Sequence, residues 1–566
     1  MTGINIRHKL VWTLVLLCVI VNISDSLDHN GFEDEERLDS PKILRSRAEF
    51  IPYLERKGIE VNPHQCDQIW SPYHVAIPPK SCLPRNRNKF KGKYEPSAES
   101  VPETNSKPDH ADLPLACIGK EAISAEVRSY QSTVDTIVQL ATQGAFKGKT
   151  FEDVAEFVDR FGHRITGSES LESSIDYLEN LLRQNGAANI QAEDVEVPDW
   201  RRGKEIATML TPREKPLAIL GLGQTVGTSI LGITADAAVF SSYEDLMANL
   251  SSVEGKIAVL NYGGPAGEPL GMGNNGYSAL ANAGARAALY KSATTFSIYS
   301  PHARRANLYY DGVTPEIPIA YITLEDADLL TRISARGEQI RIYLNMQNIH
   351  RNSTSRNLFA DIRGKEKPEE FVLFSGHTDT WDVGQGIQDD AIGVFLALEA
   401  FNLLKSLNLI PRRTLRLAFW TAEEYGFKGS AQYIKDHSYE FDNLSAVMEA
   451  DFSCLASTGL VYYGVPELAC ILQEVINLVG SATTGLLAKA KKMSTDLDNF
   501  VPLNIPTISL LGDDGRYFWF HHTEADAITA GTVNSTEFDR CLALWTSTAF
   551  IIADVENKIS RFNSEG

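Results

Sequence analysis

The sequence predicts an α/β protein: an open mixed sheet flanked by helices, interrupted by a smaller β-rich insert. Three observations predict it. Residues 357–556 alternate short apolar strands with helices, the rhythm of an open sheet covered by helices. Residues 118–197 carry apolar positions at helical spacing and then one alternating strand. From 198 to 346 glycines and short strand-like runs take over. At about 100–200 residues per domain, 566 residues correspond to roughly three or four domains.

The first 26 residues read as a removable signal. Arg7, His8 and Lys9 are followed by an apolar run, Leu10 to Val21, broken only by Thr13. The run is too short to span a bilayer, and Ser24 and Ser26 suit signal peptidase. Residues 27–117 form a leader of low order, with a propeptide as one reading. Prolines recur from Pro63 to Pro114, which breaks helices and central strands. A small module held by Cys66 and Cys82 is the alternative. Helices are expected over Glu121–Gln143, Glu152–Phe161 and Ser168–Asn185, then a strand over Ile190–Val197.

In the insert, 198–346, strands are expected at Leu217–Leu220, Gly255–Asn261, Ala287–Tyr290 and Ile317–Ile322. The closing segment, 347–566, supplies strands at Phe371–Ser375, Thr414–Trp420, Leu444–Met448, Val461–Tyr463 and Thr507–Leu511. It also supplies helices at Gly393–Ser406, Glu467–Val479 and Arg540–Ile559. No other stretch reaches membrane-spanning length.

The formal charge is −20. Nucleic acid and anionic membranes are therefore poor partners, because phosphate binding needs a basic footprint that this balance does not supply. Asn249, Asn352, Asn443 and Asn534 each open a glycosylation sequon. Beyond the signal stand Cys66, Cys82, Cys117, Cys454, Cys470 and Cys541. Six cysteines permit about 15 pairings, and their spacing is not that of a cysteine zinc site.

The chemistry gathers at strand ends. Phe371–Gly376 runs into His377-Thr-Asp379. Thr414–Trp420 runs towards Glu423-Glu424. Leu444–Met448 runs into Glu449-Ala-Asp451. Thr507–Leu511 leads through Asp513-Asp514 to His521-His522. Ligands collect at the carboxyl ends of strands in open α/β sheets. One such Asp alone would be a turn or cap, and Asp389-Asp390 before an apolar helix would alone be an N-cap. Together they form a set of oxygen and nitrogen donors that suits zinc. Two histidines and three carboxylates suffice for two metals if one carboxylate spans both. In extended chain, residues i and i+2 face one way, so Asp379 can reach the far nitrogen of His377 and fix it. Glu423 and Glu424 face opposite ways; one ligates and one is free for acid–base work.

At these residues the chain resembles the family of two-zinc amino- and carboxypeptidases. The match is carried by Gly376–Gly386, Asp389-Asp390, Thr414–Glu424, Glu449-Ala-Asp451 and His521-His522-Thr523, with Phe296–His302 in the insert. It spans roughly residues 120–556. The resemblance implies that His377, Asp389 and Asp451 hold one Zn2+. Asp389, Glu424 and His522 hold the second, with Asp389 bridging and Glu423 as the catalytic base. His522 is preferred over His521 because it precedes a hydroxyl residue, Thr523. Also implied are a cis Asp389–Asp390 peptide, a peptide substrate with free termini, a homodimer, and a secreted or lysosomal address. Residues 118–197 and 347–566 then make the zinc exopeptidase domain, with the metal site in the latter. The insert resembles a protease-associated domain. Ala391 and Ile392 depart from the family's small glycines, and Glu524-Ala525 also differ, so substrate preference stays open. An aminopeptidase of the same family is the first alternative, and a non-catalytic receptor-like binding protein the second.

Overall fold

The computed structural model describes residues 116–561, apart from 263–273, 293–298, 303–311, 514 and 530. The signal, most of the leader, Cys66 and Cys82 lie outside these residues.

The chain enters through helices α1 (Glu121–Arg128), α2 (Gln131–Thr142), α3 (Lys149–Phe161) and α4 (Glu169–Gln184). The single helix expected over 121–143 is two, parted at Ser129-Tyr130, where the Ser129 hydroxyl donates to Glu126 O (2.6 Å). Ser168 does not belong to α4. Its hydroxyl caps that helix by accepting from Leu171 N at 2.9 Å, the usual reason a serine starts a helix. Strand β1 (Ala188–Arg201) follows.

The next segment builds its own sheet from β2 (Glu205–Thr211), β3 (Lys215–Leu217), β4 (Ile219–Gly221), β5 (Ile233–Phe240), β6 (Ile257–Leu260), β7 (Ala287–Lys291), β8 (Ile319–Ile322) and β9 (Arg341–Met346). The run expected as one strand at Leu217–Leu220 is divided between β3 and β4. Sheet order is β3-β2-β9-β5-β6-β7-β8-β4. Helices α5 (Tyr243–Ala248), α6 (Asn274–Asn282) and α7 (Leu324–Ala335) accompany it. Alternation along β6 and β7 feeds two cores. Ala258, Leu260, Ala288 and Tyr290 enter one, and Ile257, Val259, Ala287 and Leu289 the other. Strands buried on both faces read as continuous apolar runs for this reason.

The remaining elements are β10 (Ile349–Ile362), β11 (Lys367–His377), α8 (Ile392–Ser406), β12 (Arg413–Trp420), α9 (Lys428–His437), β13 (Leu444–Glu449), β14 (Gly459–Tyr463), α10 (Pro466–Val479), β15 (Leu486–Lys489), β16 (Thr507–Leu511) and α11 (Ser535–Asp554). Helix α11 starts and ends about a turn earlier than its apolar pattern suggests, because Asn534 caps it, accepting from Thr536 N at 3.1 Å.

The main sheet runs β1-β10-β12-β11-β13-β16-β14-β15. Within it β12, β11, β13 and β16 are successive parallel neighbours. Parallel neighbours end on the same edge, so all four ligand-bearing strand ends meet there. Helix α8 is buried along nearly its whole length, under α3 and α11, as its all-round apolar sequence requires. Cys117–Cys470 and Cys454–Cys541 are bonded; the first ties the start of the described chain to α10, the second ties the loop after β13 to α11. Among the described residues no helix is long and apolar enough to cross a membrane.

Candidate metal centre

His377, the last residue of β11, is fully buried. Its Nε2 lies 3.2 Å from Asp389 Oδ1 and 3.3 Å from Asp451 Oδ1. On the other side of Asp389, Oδ2 lies 3.1 Å from His522 Nε2, which is also 3.0 Å from Glu424 Oε2. The five residues named from sequence therefore meet at one edge of the sheet. His521 is close as well, its Nε2 3.5 Å from Asp389 Oδ2. His522 touches both Asp389 and Glu424.

The pair Asp389-Asp390 divides the two roles its sequence allowed, and its peptide bond is cis. Asp390 is the cap: its carboxylate accepts from Gly393 N (3.0 Å) and His377 N (3.2 Å). Asp389 faces the histidines. Gly393 is required here, because a Cβ would fall 1.8 Å from Ala450 O. Three loops that present the site hold a non-glycine residue in the left-handed region: Ala422 (φ 56°), Ser453 (φ 59°) and His522 itself (φ 54°). Such conformations persist where surrounding structure enforces them.

Asp379 reaches His377 differently from expectation. His377 Nδ1 lies 3.0 Å from the Asp379 main-chain carbonyl and 3.6 Å from its carboxylate. The carboxylate instead accepts from Glu423 N (3.1 Å) and the Thr166 hydroxyl (2.6 Å). It therefore also positions the loop that carries Glu423.

Sequence reasoning missed Arg164, which is fully buried. Its guanidinium donates to Thr378 O (3.0 Å), Gly162 O (3.0 Å), Gln385 O (3.0 Å) and Gly386 O (3.2 Å). It pins the loops on both sides of the acidic cluster. The one signal was a charged residue inside the glycine-bounded turn Gly162–Gly167. Trp381 was missed too; it stacks on His522 at 5.7 Å.

Burial pushes Glu424 up to about 7 and Asp451 up to about 6, against the pull of His522 and His377. Burial also holds the Glu423 carboxyl well above the ordinary range, and Asp451 and Glu424 add to the rise against His377. Burial would lower His377 and His522, yet Asp451 and Glu424 respectively drive them well above the usual imidazole value. Carboxylates this buried require a compensating charge. The donors form two triads, His377-Asp389-Asp451 and Asp389-His521-His522, each with ligating atoms within 4.8 Å of one another. Imidazole and carboxylate donors at this spacing fit zinc.

A mixed α/β sheet with such a centre at the ends of its parallel strands presents the donor set of a metal-dependent hydrolase. The family model of peptidase family M28 matches residues 357–549. Carboxypeptidase Q of Xenopus laevis is 39% identical over 448 residues, covering 78% of this chain and 93% of that protein. The Homo sapiens protein of the same name is 38% identical with the same coverage. Among solved structures, a peptidase M28 precursor from Shewanella amazonensis superposes with a TM-score of 0.70 at 26% identity, covering 78% of this chain and all of that one. A zinc aminopeptidase from Bacillus subtilis shares the fold, with a TM-score of 0.57 at 18% identity over 74% of this chain and 99% of its own. The chain belongs to the carboxypeptidase Q family.

Proposed function

We propose that this chain is a two-zinc exopeptidase hydrolysing dipeptides or short peptides with free termini. The observation that carries this reading is Asp389, one carboxylate with a different imidazole against each oxygen. His377, Asp389 and Asp451 would hold one zinc, and Asp389, Glu424 and His522 the other. When bound, such ions polarise the scissile carbonyl and lower the pKa of water at the site. The protein supplies the rest. Glu423 takes a proton from the attacking water on its carboxylate and delivers it to the leaving amine. Asp379 holds the Glu423 main chain still while the proton moves.

Residues 118–197 and 347–566 are the peptidase domain, and 198–346 a protease-associated-like insert. The signal, the sequons and the paired cysteines favour a secreted or lysosomal glycoprotein, and the family favours a homodimer. Asn249, Asn352 and Asn534 are exposed, and Asn443 half-buried.

Two measurements test the reading. Metal analysis should find close to two zinc ions per chain; a folded, inactive protein that takes up no zinc would support a binding protein instead. A panel of free, N-blocked and C-blocked dipeptides decides which terminus is read. Cleavage of N-blocked but not C-blocked substrates marks a carboxypeptidase, the reverse an aminopeptidase, and loss of both a dipeptidase.

A further inference from the structure

His302 belongs to the insert segment, between β7 and β8, yet it reaches the metal centre. It is fully buried. Its main-chain N–H donates to Ser292 Oγ at 2.9 Å, and that hydroxyl donates to Ile322 O at 2.8 Å. The residue is thus fixed to the ends of β7 and β8. Its ring Nε2 lies 3.3 Å from His521 Nδ1, with the two rings edge to face. The opposite nitrogen of His521 faces Asp389 Oδ2 at 3.5 Å, and the His521 ring stacks on His522 with centroids 3.5 Å apart.

The direction of these contacts follows from elementary chemistry. A neutral imidazole has one N–H and one lone pair. A lone pair at His521 Nε2 would point at a carboxylate oxygen and be repelled, so the N–H belongs there. His521 Nδ1 must then accept, and the donor beside it is His302 Nε2–H. A nitrogen that carries a proton cannot ligate a metal, so this tautomer also leaves His522 as the ligand of the adjacent pair.

We propose that His302 is a positioning residue supplied by the insert: it fixes the His521 tautomer, and through it the orientation of the bridging Asp389. Removal of a partner one step behind a ligand, the position His521 holds, costs about 10–100-fold in metal affinity or activity, and His302 acts through that residue. The proposal rests on Asp389 bridging two ions, and its test separates the two claims.

His302→Leu removes the donor and keeps bulk. His302→Gln places an amide N–H near the former Nε2, and His302→Asn places one nearer Nδ1. Each is assayed for kcat and KM, and for zinc affinity by chelator competition. The Leu and Asn variants should lose about 10–100-fold in kcat or in affinity for one zinc, with KM little changed, and Gln should recover most of the loss. In a double cycle with His521→Leu, the His302 change should add nothing once His521 is gone. Additive losses, equal behaviour of Gln and Asn, or wild-type kcat and zinc affinity in His302→Leu would overturn the proposal. So would failure of all three variants to fold, since the role would then be structural. A wild-type protein that binds only one zinc would instead sink the bridging role of Asp389.

Discussion

Glu423 and Glu424 are chain neighbours with different work. Glu424 turns to His522, while Glu423 has its main chain held by Asp379. Glu423→Gln should keep fold and zinc, because no ligand is lost, and should lower kcat by about 10²–10⁴-fold. Near-normal turnover in that variant would remove the base assignment. Arg164 makes a second case at this scale. Replacing it by Met leaves four carbonyl contacts unmade and the acidic cluster without its buried cation. Each buried acceptor left without its donor costs about 1–3 kcal/mol, so stability should fall by several kcal/mol; denaturant titration measures it. Glu424 and Asp451 were legible in sequence because each closely follows an apolar strand, and Asp389 because it precedes an apolar helix. Arg164 was not, since its value lies in carbonyls contributed by residues 162, 378, 385 and 386, which only folding brings together.

Elements fix where these side chains stand. The Ser168 cap sets the start of α4, and Ser168→Ala should cost about 1 kcal/mol with activity retained. A loss within error would mean that water replaces the hydroxyl. The Cys454–Cys541 bond closes an 87-residue separation between the loop after Asp451 and α11. Replacing both cysteines by serine should lower stability by about 2–4 kcal/mol, read from thermal or denaturant unfolding under non-reducing conditions. Strands such as β16 were placed from sequence at their observed ends, because apolar runs bounded by turn residues leave little choice. The break between α1 and α2 was not, since both halves keep helical spacing and the turn at Ser129-Tyr130 carries no glycine or proline.

The whole molecule carries a pH dependence away from the metal centre. Glu399 on α8 is buried beside Lys149, whose Nζ lies 3.5 Å away. Burial pushes its carboxyl from the ordinary 4.5 up to about 7, against the pull of Lys149. A folded-state pKa above the unfolded one means that the folded state prefers the proton. This contribution is fully present below about pH 4.5 and is lost as pH rises through 7. Glu399→Gln should therefore gain stability relative to the parent between pH 5 and 8, by on the order of 3 kcal/mol at the upper end. A stability difference independent of pH would show that Glu399 stays charged.

Sequence alone determined the α/β class, the insert's strand-rich texture, and which donors end which strands, because periodicity and turn residues are local properties. It left open the cysteine pairing, the partners of Asp379, the division of Asp389 from Asp390, and the reach of His302 into the centre. Those depend on contacts between residues far apart in the chain. Parallel pairing of β12, β11, β13 and β16 brings their ends to one edge, and that register is set by packing across the whole sheet.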